Sequence, residues 1–259
     1  YAMRQAMTVK LVQPETTTKR YYAREDGAIA RWAGRQRGNV TPDRNTFPVL
    51  GTKAQPDVWS SRAPMTVGDA DPETREQEAV GWISSNYITG FGSNWSTFRA
   101  PVAGRYRMRF SGYTLWIGPG GSSRSFSTGP ERREVIRPPS WFRPNFNDVQ
   151  PGRRYEPITV YAQGGITNRR LGGFDVTPEP ATSELKDVWM LANEYLVTDA
   201  SRFYRSRPTG FQGDFTNPLA QRDGVPAVAF RWMEIEGPLY DESTTAGYKL
   251  LFGDLLHRE

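Results

Sequence analysis

Residues 98–117 read FRAPVAGRYRMRFSGYTLWI, and the middle of this stretch decides the fold. From Arg105 to Ser111 the residues alternate without exception. Arg105, Arg107, Arg109 and Ser111 fall on one side, Tyr106, Met108 and Phe110 on the other. Successive side chains of a strand point to opposite faces, so the pattern predicts a half-buried strand with a basic outer surface. The turn Pro101 to Gly104 introduces it and the glycine-rich loop Gly118 to Gly121 closes it. At Gly112 the strand either continues or kinks into Tyr113 to Ile117.

Outward from this strand, further short extended segments alternate with turn-rich loops. Strands are expected at Ala79 to Ile88, Ile158 to Ala162, Leu171 to Val176, Asp187 to Leu191, Tyr195 to Val197 and Ala227 to Glu236, with a weaker one at Met7 to Val12. The three residues Ala192, Asn193 and Glu194 have hairpin length. In the last strand strict alternation places Val228, Phe230 and Trp232 on one face and Ala229, Arg231, Met233 and Ile235 on the other. Both faces are largely apolar, which predicts a central strand covered on both sides. Helical spacing of Tyr22, Ile29 and Trp32 or Ala33, with Gly34 as a stop, suggests one short helix between Thr18 and Gly34, and Asp71-Pro72-Glu73 suits a single helical turn.

The bulk composition agrees with an all-β reading. Glycine (25) and proline (20) supply many turns, and aromatic residues at 13% are the usual filling of sheet cores. At 259 residues and 37% hydrophobic the chain can bury a real core within one domain. The expected architecture is therefore a β-sandwich of jelly-roll or carbohydrate-binding-module type. Residues 1–78 form a loop-rich segment packed on the sandwich and 79–259 form its core.

Several functions are excluded by what the chain lacks. There is no cysteine, which removes disulfides, thiolate nucleophiles, cysteine metal sites and covalent haem attachment. The one histidine, His257, stands two residues from the end, and no G-x-S-x-G elbow occurs, so a histidine-based triad or metal centre is not expected. No cofactor and no metal are expected. The net charge of +5 is modest and unclustered, with no nucleic-acid motif. No apolar run of about 18 residues is present to span a membrane as a helix. The chain begins at Tyr1 without a charged-then-apolar leader, as expected of an exported protein whose signal sequence is already absent.

Candidate chemistry is sparse. Glu234 and Glu236 lie two apart on one strand face, roughly 6.6 Å between Cα atoms, a spacing that glycosidase carboxylates also show. The wet end of a strand paired with arginines is the better explanation of them. Asp241 and Glu242 lack the spaced ligands of a calcium loop. The Gly118 to Ser123 loop lacks the lysine and helix of a phosphate loop. Arg105, Arg107 and Arg109 form a stripe roughly 13 Å long, fit for an acidic partner or an anionic polysaccharide unless cross-strand carboxylates neutralise it. Trp95, Trp116, Trp141 and Phe142 lie in or beside loops, where they form either a sugar-stacking platform or ordinary core.

Five stretches carry a family resemblance: AREDGAIARWAGRQRG (23–38), FRAPVAGRYRMRFSGYTLW (98–116), RRLGGFDVTPEP (169–180), FYRSRP (203–208), and VAFRWMEIEGPLYDE with AGYKLLFGDL (228–242 and 246–255). They resemble the middle region of the planctomycetal cytochrome c-type secreted multidomain proteins, the most specific parts being EIEGPLYD and LLFGDL. The resemblance implies a non-catalytic exported jelly roll in the periplasm or at the cell surface. It implies other proteins as partners, such as a cytochrome-containing membrane complex on whose periplasmic side the chain would be an accessory subunit. Polysaccharide is the alternative ligand. The resemblance transfers no catalytic residue.

Overall fold

The computed structural model of the chain describes residues 14–26, 46–50, 72–83, 93–119, 144–203 and 219–240. These form eleven strands in two antiparallel sheets, with one six-residue α-helix among the described residues. The fold is all-β and sandwich-like.

Two long strands organise the larger sheet: β5 (Gly104–Pro119) and β11 (Val225–Leu239). They pair antiparallel along almost their whole length. Each also shares its free edge between two shorter strands. Along β11 these are β1 (Thr17–Tyr22) and β3 (Glu78–Trp82), with β2 (Thr46–Leu50) outside β3. Along β5 they are β9 (Ala181–Met190) and β6 (Pro144–Pro151). The smaller sheet runs β4 (Ser93–Trp95), β10 (Tyr195–Asp199), β7 (Glu156–Gly164), β8 (Thr167–Val176). Two strands from the N-terminal loop-rich segment, β1 and β2, are thus members of the larger sheet.

The alternation around Arg105 is realised as expected: Tyr106, Met108 and Phe110 face the smaller sheet and are fully buried. Phe230 is the hub of this inter-sheet core. Its ring stacks on Trp82 at 5.1 Å and meets Trp95, Phe110 and Phe174 edge-on at 6.2 to 6.4 Å. Such aromatic pairs add specificity to the apolar area they remove from water. The strand does not break at Gly112. That glycine stands opposite Phe230, and a Cβ there would lie 2.8 Å from the Phe230 ring, so its bareness admits the aromatic hub.

A second core lies on the back of the larger sheet, where Tyr113, Leu115 and Ile117 of β5 meet Phe47, Val49, Ala79, Val149, Val225, Ala227 and Ala229. These β5 residues belong to the same face as the three arginines. The strand β11 is accordingly central, and it is buried on both sides from Val225 to Phe230, while beyond that its outer face, with Arg231, Trp232, Glu234 and Glu236, is partly exposed.

The structure corrects three local expectations. The segment from Thr18 is not helical as far as it is described: Thr17–Tyr22 is β1, followed by a 3-10 turn at Ala23–Glu25. Threonine and paired tyrosines favour a pleated, half-covered surface, and pairing with β11 overrides the helical spacing. The α-helix, α1, lies at Pro72–Gln77, where Asp71-Pro72-Glu73 predicts a helical turn.

The turn at 192–194 makes no hairpin, because β9 belongs to the larger sheet and β10 to the smaller. It is a corner between the sheets, held by the Asn193 N–H donating to the Ala100 carbonyl at 2.8 Å and the Ala100 N–H donating to that of Glu194 at 2.9 Å. Finally, β11 does not alternate strictly. A β-bulge falls between Phe230 and Trp232, so Val228, Phe230, Met233 and Ile235 all face the inter-sheet core.

Buried polar groups tie the N-terminal strand to the sandwich. Arg24 and Glu78 form a 2.9 Å ion pair shielded from solvent, where burial holds the guanidinium pKa below its ordinary value despite the carboxylate beside it. The fully buried Asp26 carboxylate accepts hydrogen bonds from the Ser96 hydroxyl and from both the N–H and the hydroxyl of Thr97, each 2.9 Å. A buried charge is tolerable only when satisfied in this way.

Candidate functional site

Three places gather functional side chains: the arginine face, a groove beside it, and one end of the sandwich.

On the arginine face, pairing of β1, β11, β5 and β9 brings Arg20, Glu234, Arg109 and Glu184 into one row across four strands. Each oxygen of Glu234 takes a different arginine: Arg20 Nη2 donates to Oε2 and Arg109 Nη1 to Oε1, both at 2.9 Å. Arg107 Nη1 donates to Glu236 Oε2 at 2.8 Å, and its Nε lies 3.5 Å from Glu184. Arg105 lies 3.4 Å from Asp187, and Arg20 also reaches Glu76 at 2.9 Å. The stripe of Arg105, Arg107 and Arg109 is therefore one column of an alternating charge lattice.

The Glu234 side chain is only 15% exposed. Burial pushes its pKa up, but hydrogen bonds from Arg109 and Arg20 outweigh that and hold it below the ordinary carboxylate value. A carboxyl so held stays ionised at neutral pH and suits pairing, whereas a general acid needs a raised pKa.

The groove opens beside this lattice, a cavity of about 470 Å³ between α1 and the edge of β9. The bulge in β11 shapes it. With Phe230 and Met233 both turned to the inter-sheet core, the two residues between them, Arg231 and Trp232, line the groove together. Glu76 and Gln77 line it from α1, Ser111 from β5 and Thr182 from β9. The Arg20 guanidinium covers Trp232, 4.0 Å from the ring centre. Glu76 is engaged by Arg20 and by the Tyr22 hydroxyl.

Arg231 differs from its neighbours. It lies over the Tyr113 ring, 5.3 Å from its centre, and its buried Nε makes no hydrogen bond. Among the described residues no carboxylate stands within 4 Å of it.

The third place is the end of the sandwich at the 192–194 corner. Trp189 and Leu191 are about half exposed, and Ile166, at the tip of the β7–β8 hairpin, is fully exposed. The buried Glu194 carboxylate braces them by accepting from the Leu191 N–H and from Arg169 Nη2, both at 2.7 Å. Arg169 also donates to the Trp189 carbonyl at 3.0 Å, joining the two sheets. Arg99 stacks on Tyr195 at 4.3 Å on the same corner.

Of the tryptophans named from the sequence, Trp95 and Trp116 are buried and offer no exposed platform. Trp95 is 0% exposed in the inter-sheet core, its indole N–H donating to Thr198 at 3.2 Å. Trp116 is 3% exposed, its N–H on the Asp223 carbonyl and its ring under Arg153. Trp141, Phe142, His257, Asp241, Glu242 and the Met7 to Val12 segment lie outside the described residues.

Sequence reasoning missed Arg231 and Trp232 as neighbours on one face. A local signal was present in AVAFRWMEIE only with Trp232 set aside: Val228, Phe230, Met233 and Ile235 then step by two, three and two, whereas Val228, Phe230 and Trp232 alternate without a break. A step of three inside an alternating strand marks a bulge.

Among the described residues no group of three or more acidic, histidine or cysteine side chains could hold a metal ion. No helix there is long and apolar enough to cross a membrane. Fold and site together define an all-β protein of two packed sheets with a charge-paired outer face. No family model matches the chain, and no curated protein matches it.

Proposed function

We propose that the chain is a non-catalytic, exported interaction module that docks onto another protein, as an accessory subunit on the periplasmic side of a membrane-bound electron-transfer assembly. The observation that carries this reading is the apolar end of the sandwich. Trp189, Leu191 and Ile166 stand out from two different sheets, on a corner made rigid by the buried Glu194 and Arg169. Aromatic and large aliphatic residues flanked by arginines, here Arg99 and Arg169, are the composition of the centre of a protein interface. In this reading the docking face lies at the sandwich end. The arginine stripe contributes less, because its charge is balanced within the sheet. The likeness of EIEGPLYD and its neighbouring motifs to secreted cytochrome c-type proteins supports the export and the class of partner.

The test is isolation of the chain from its native source by gentle detergent extraction, beside a Trp189→Ser, Leu191→Ser double variant. The expected result is a stoichiometric partner with a haem absorbance spectrum, lost in the double variant while the melting temperature stays unchanged. A monomer that co-purifies with nothing overturns the proposal.

A further inference from the structure

The groove beside the charge lattice has no part in that docking face, and its chemistry points elsewhere. We propose that it binds a polysaccharide carrying uronic acid, with Arg231 holding the sugar carboxylate and Trp232 lying against the ring.

The bulge comes first in the argument. It forfeits regular ladder bonding at the centre of the longest strand pair, and bulges next to sites serve to re-aim side chains. Here it sets an arginine and a tryptophan side by side in one cavity, which strict alternation forbids.

The arginine's surroundings come second. Arg20, Arg107 and Arg109, its companions on this face, each hold a carboxylate at 2.8 to 2.9 Å. Arg231 holds none among the described residues, and its Nε is buried without a hydrogen bond. A guanidinium is a planar fork that matches a carboxylate bidentately, so a half-buried one without an acid presents a site for an acid from outside.

The remaining lining completes a sugar site. The Trp232 indole, covered by Arg20 on one face, lines the groove with its remaining apolar surface. The hydroxyls of Ser111 and Thr182 and the Gln77 amide supply donors and acceptors for ring hydroxyls. The volume of about 470 Å³ falls within the range of small-molecule clefts. Two carboxylates also line the groove. Glu76 is neutralised by Arg20, and Glu73 stands exposed at the rim, where water screens it. A phosphate or sulfate would meet the same guanidinium but leave the indole and the amide unused, which is why a sugar acid fits better.

Isothermal titration of the full chain with trigalacturonate tests this, beside the methyl ester of the same oligomer. The acid should bind and the ester should bind at least about tenfold more weakly, the size expected when a charge-assisted hydrogen bond becomes a neutral one. Arg231→Ala should cost a similar factor. Because that change also strips the Tyr113 ring of its cover, Thr182→Trp serves as a second variant. It fills the groove from an exposed strand position, and it should abolish binding with the melting temperature retained. No binding of the acid, equal binding of acid and ester, or full binding by Thr182→Trp overturns the proposal. None of these outcomes touches Trp189 or Leu191, so the docking reading stands or falls separately.

Discussion

The two halves of β5 share one backbone, one pairing partner and one outward face, yet that face is polar in one half and apolar in the other. Arg105, Arg107 and Arg109 continue in register into Tyr113, Leu115 and Ile117, with Ser111 as the joint. Where β9 and β1 flank the central pair, the outer face faces outward and carries the charge lattice. Where β2, β3 and β6 flank it, the same face closes into a second core. Alternation therefore fixes which residues share a side. What lies over that side decides whether it is wet. Cross-strand neighbours then finish the job, since a row of like charges is stable only when the next strand supplies the opposite sign.

The comparison breaks most sharply at its hinge. Phe230 serves the core beneath both halves, so Phe230→Ala should cost about 3–5 kcal/mol, read as a fall in urea midpoint. Next comes Gly237, at the lattice end of β11. It adopts φ 154°, and a Cβ there would overlap the Tyr106 ring. Gly237→Ala should destabilise by about 1–3 kcal/mol, and Tyr106→Ala in the same chain should recover part of the steric share. A Gly237→Ala variant as stable as the parent in urea denaturation would show that the strand end is not packed as described.

How much of this was legible in the sequence follows from how local each signal is. The face of β5 needs only seven consecutive residues, and they alternate. The bulge at Arg231 is ambiguous locally, because Trp232 continues the alternation of Val228 and Phe230 while Met233 and Ile235 begin a shifted one. By contrast the partners of Arg109 lie 75 and 125 positions away, at Glu184 and Glu234, and no local pattern announces them. The corner at 192–194 looked like a hairpin because three residues can return a strand to its neighbour or carry it to the opposite sheet. What distinguishes the two is the long-range bonding to Ala100. The strand β6 escaped notice because it is bracketed by Pro144 and Pro151, which read as loop punctuation, yet it sits on a sheet edge where proline is tolerated. Trp95 and Trp116 read as loop residues for the opposite reason: their neighbours are turn-forming while their own rings are core.

The two halves should also part in their response to pH. On the apolar half, burial pushes the Tyr113 phenol from its ordinary 10.0 up to about 12, against the smaller opposing pull of Arg231. An unfolded chain therefore releases this proton first. Stability should be unaffected by the group below about pH 10 and should fall by about 2–3 kcal/mol as pH rises toward 12. Tyr113→Phe should remove that alkaline loss, measured as the urea midpoint against pH. A parallel alkaline slope in the two proteins would place the phenol in contact with water.

On the charged half the sign reverses and the effect shrinks. Glu234 has a folded pKa below its ordinary value, so its contribution is present above about pH 4.5 and is lost as pH falls through the lower, folded value. Its partners Arg20 and Arg109 are more than a third exposed at the side chain, so solvent screens the pairs and the neutral-pH cost of Glu234→Gln should be about 1 kcal/mol or less. The variant should also lose its difference from the parent at low pH and in high salt, because both conditions silence the same charges. Replacing Arg105, Arg107 and Arg109 together by serine leaves Glu184, Asp187, Glu234 and Glu236 facing one another with fewer cations. That triple variant should fold, lose little near pH 4 and lose most near neutrality, where four adjacent carboxylates repel. A loss independent of pH would mean that the arginine stems, lying along the strand, stabilise the sheet by packing and that the charge lattice adds nothing measurable.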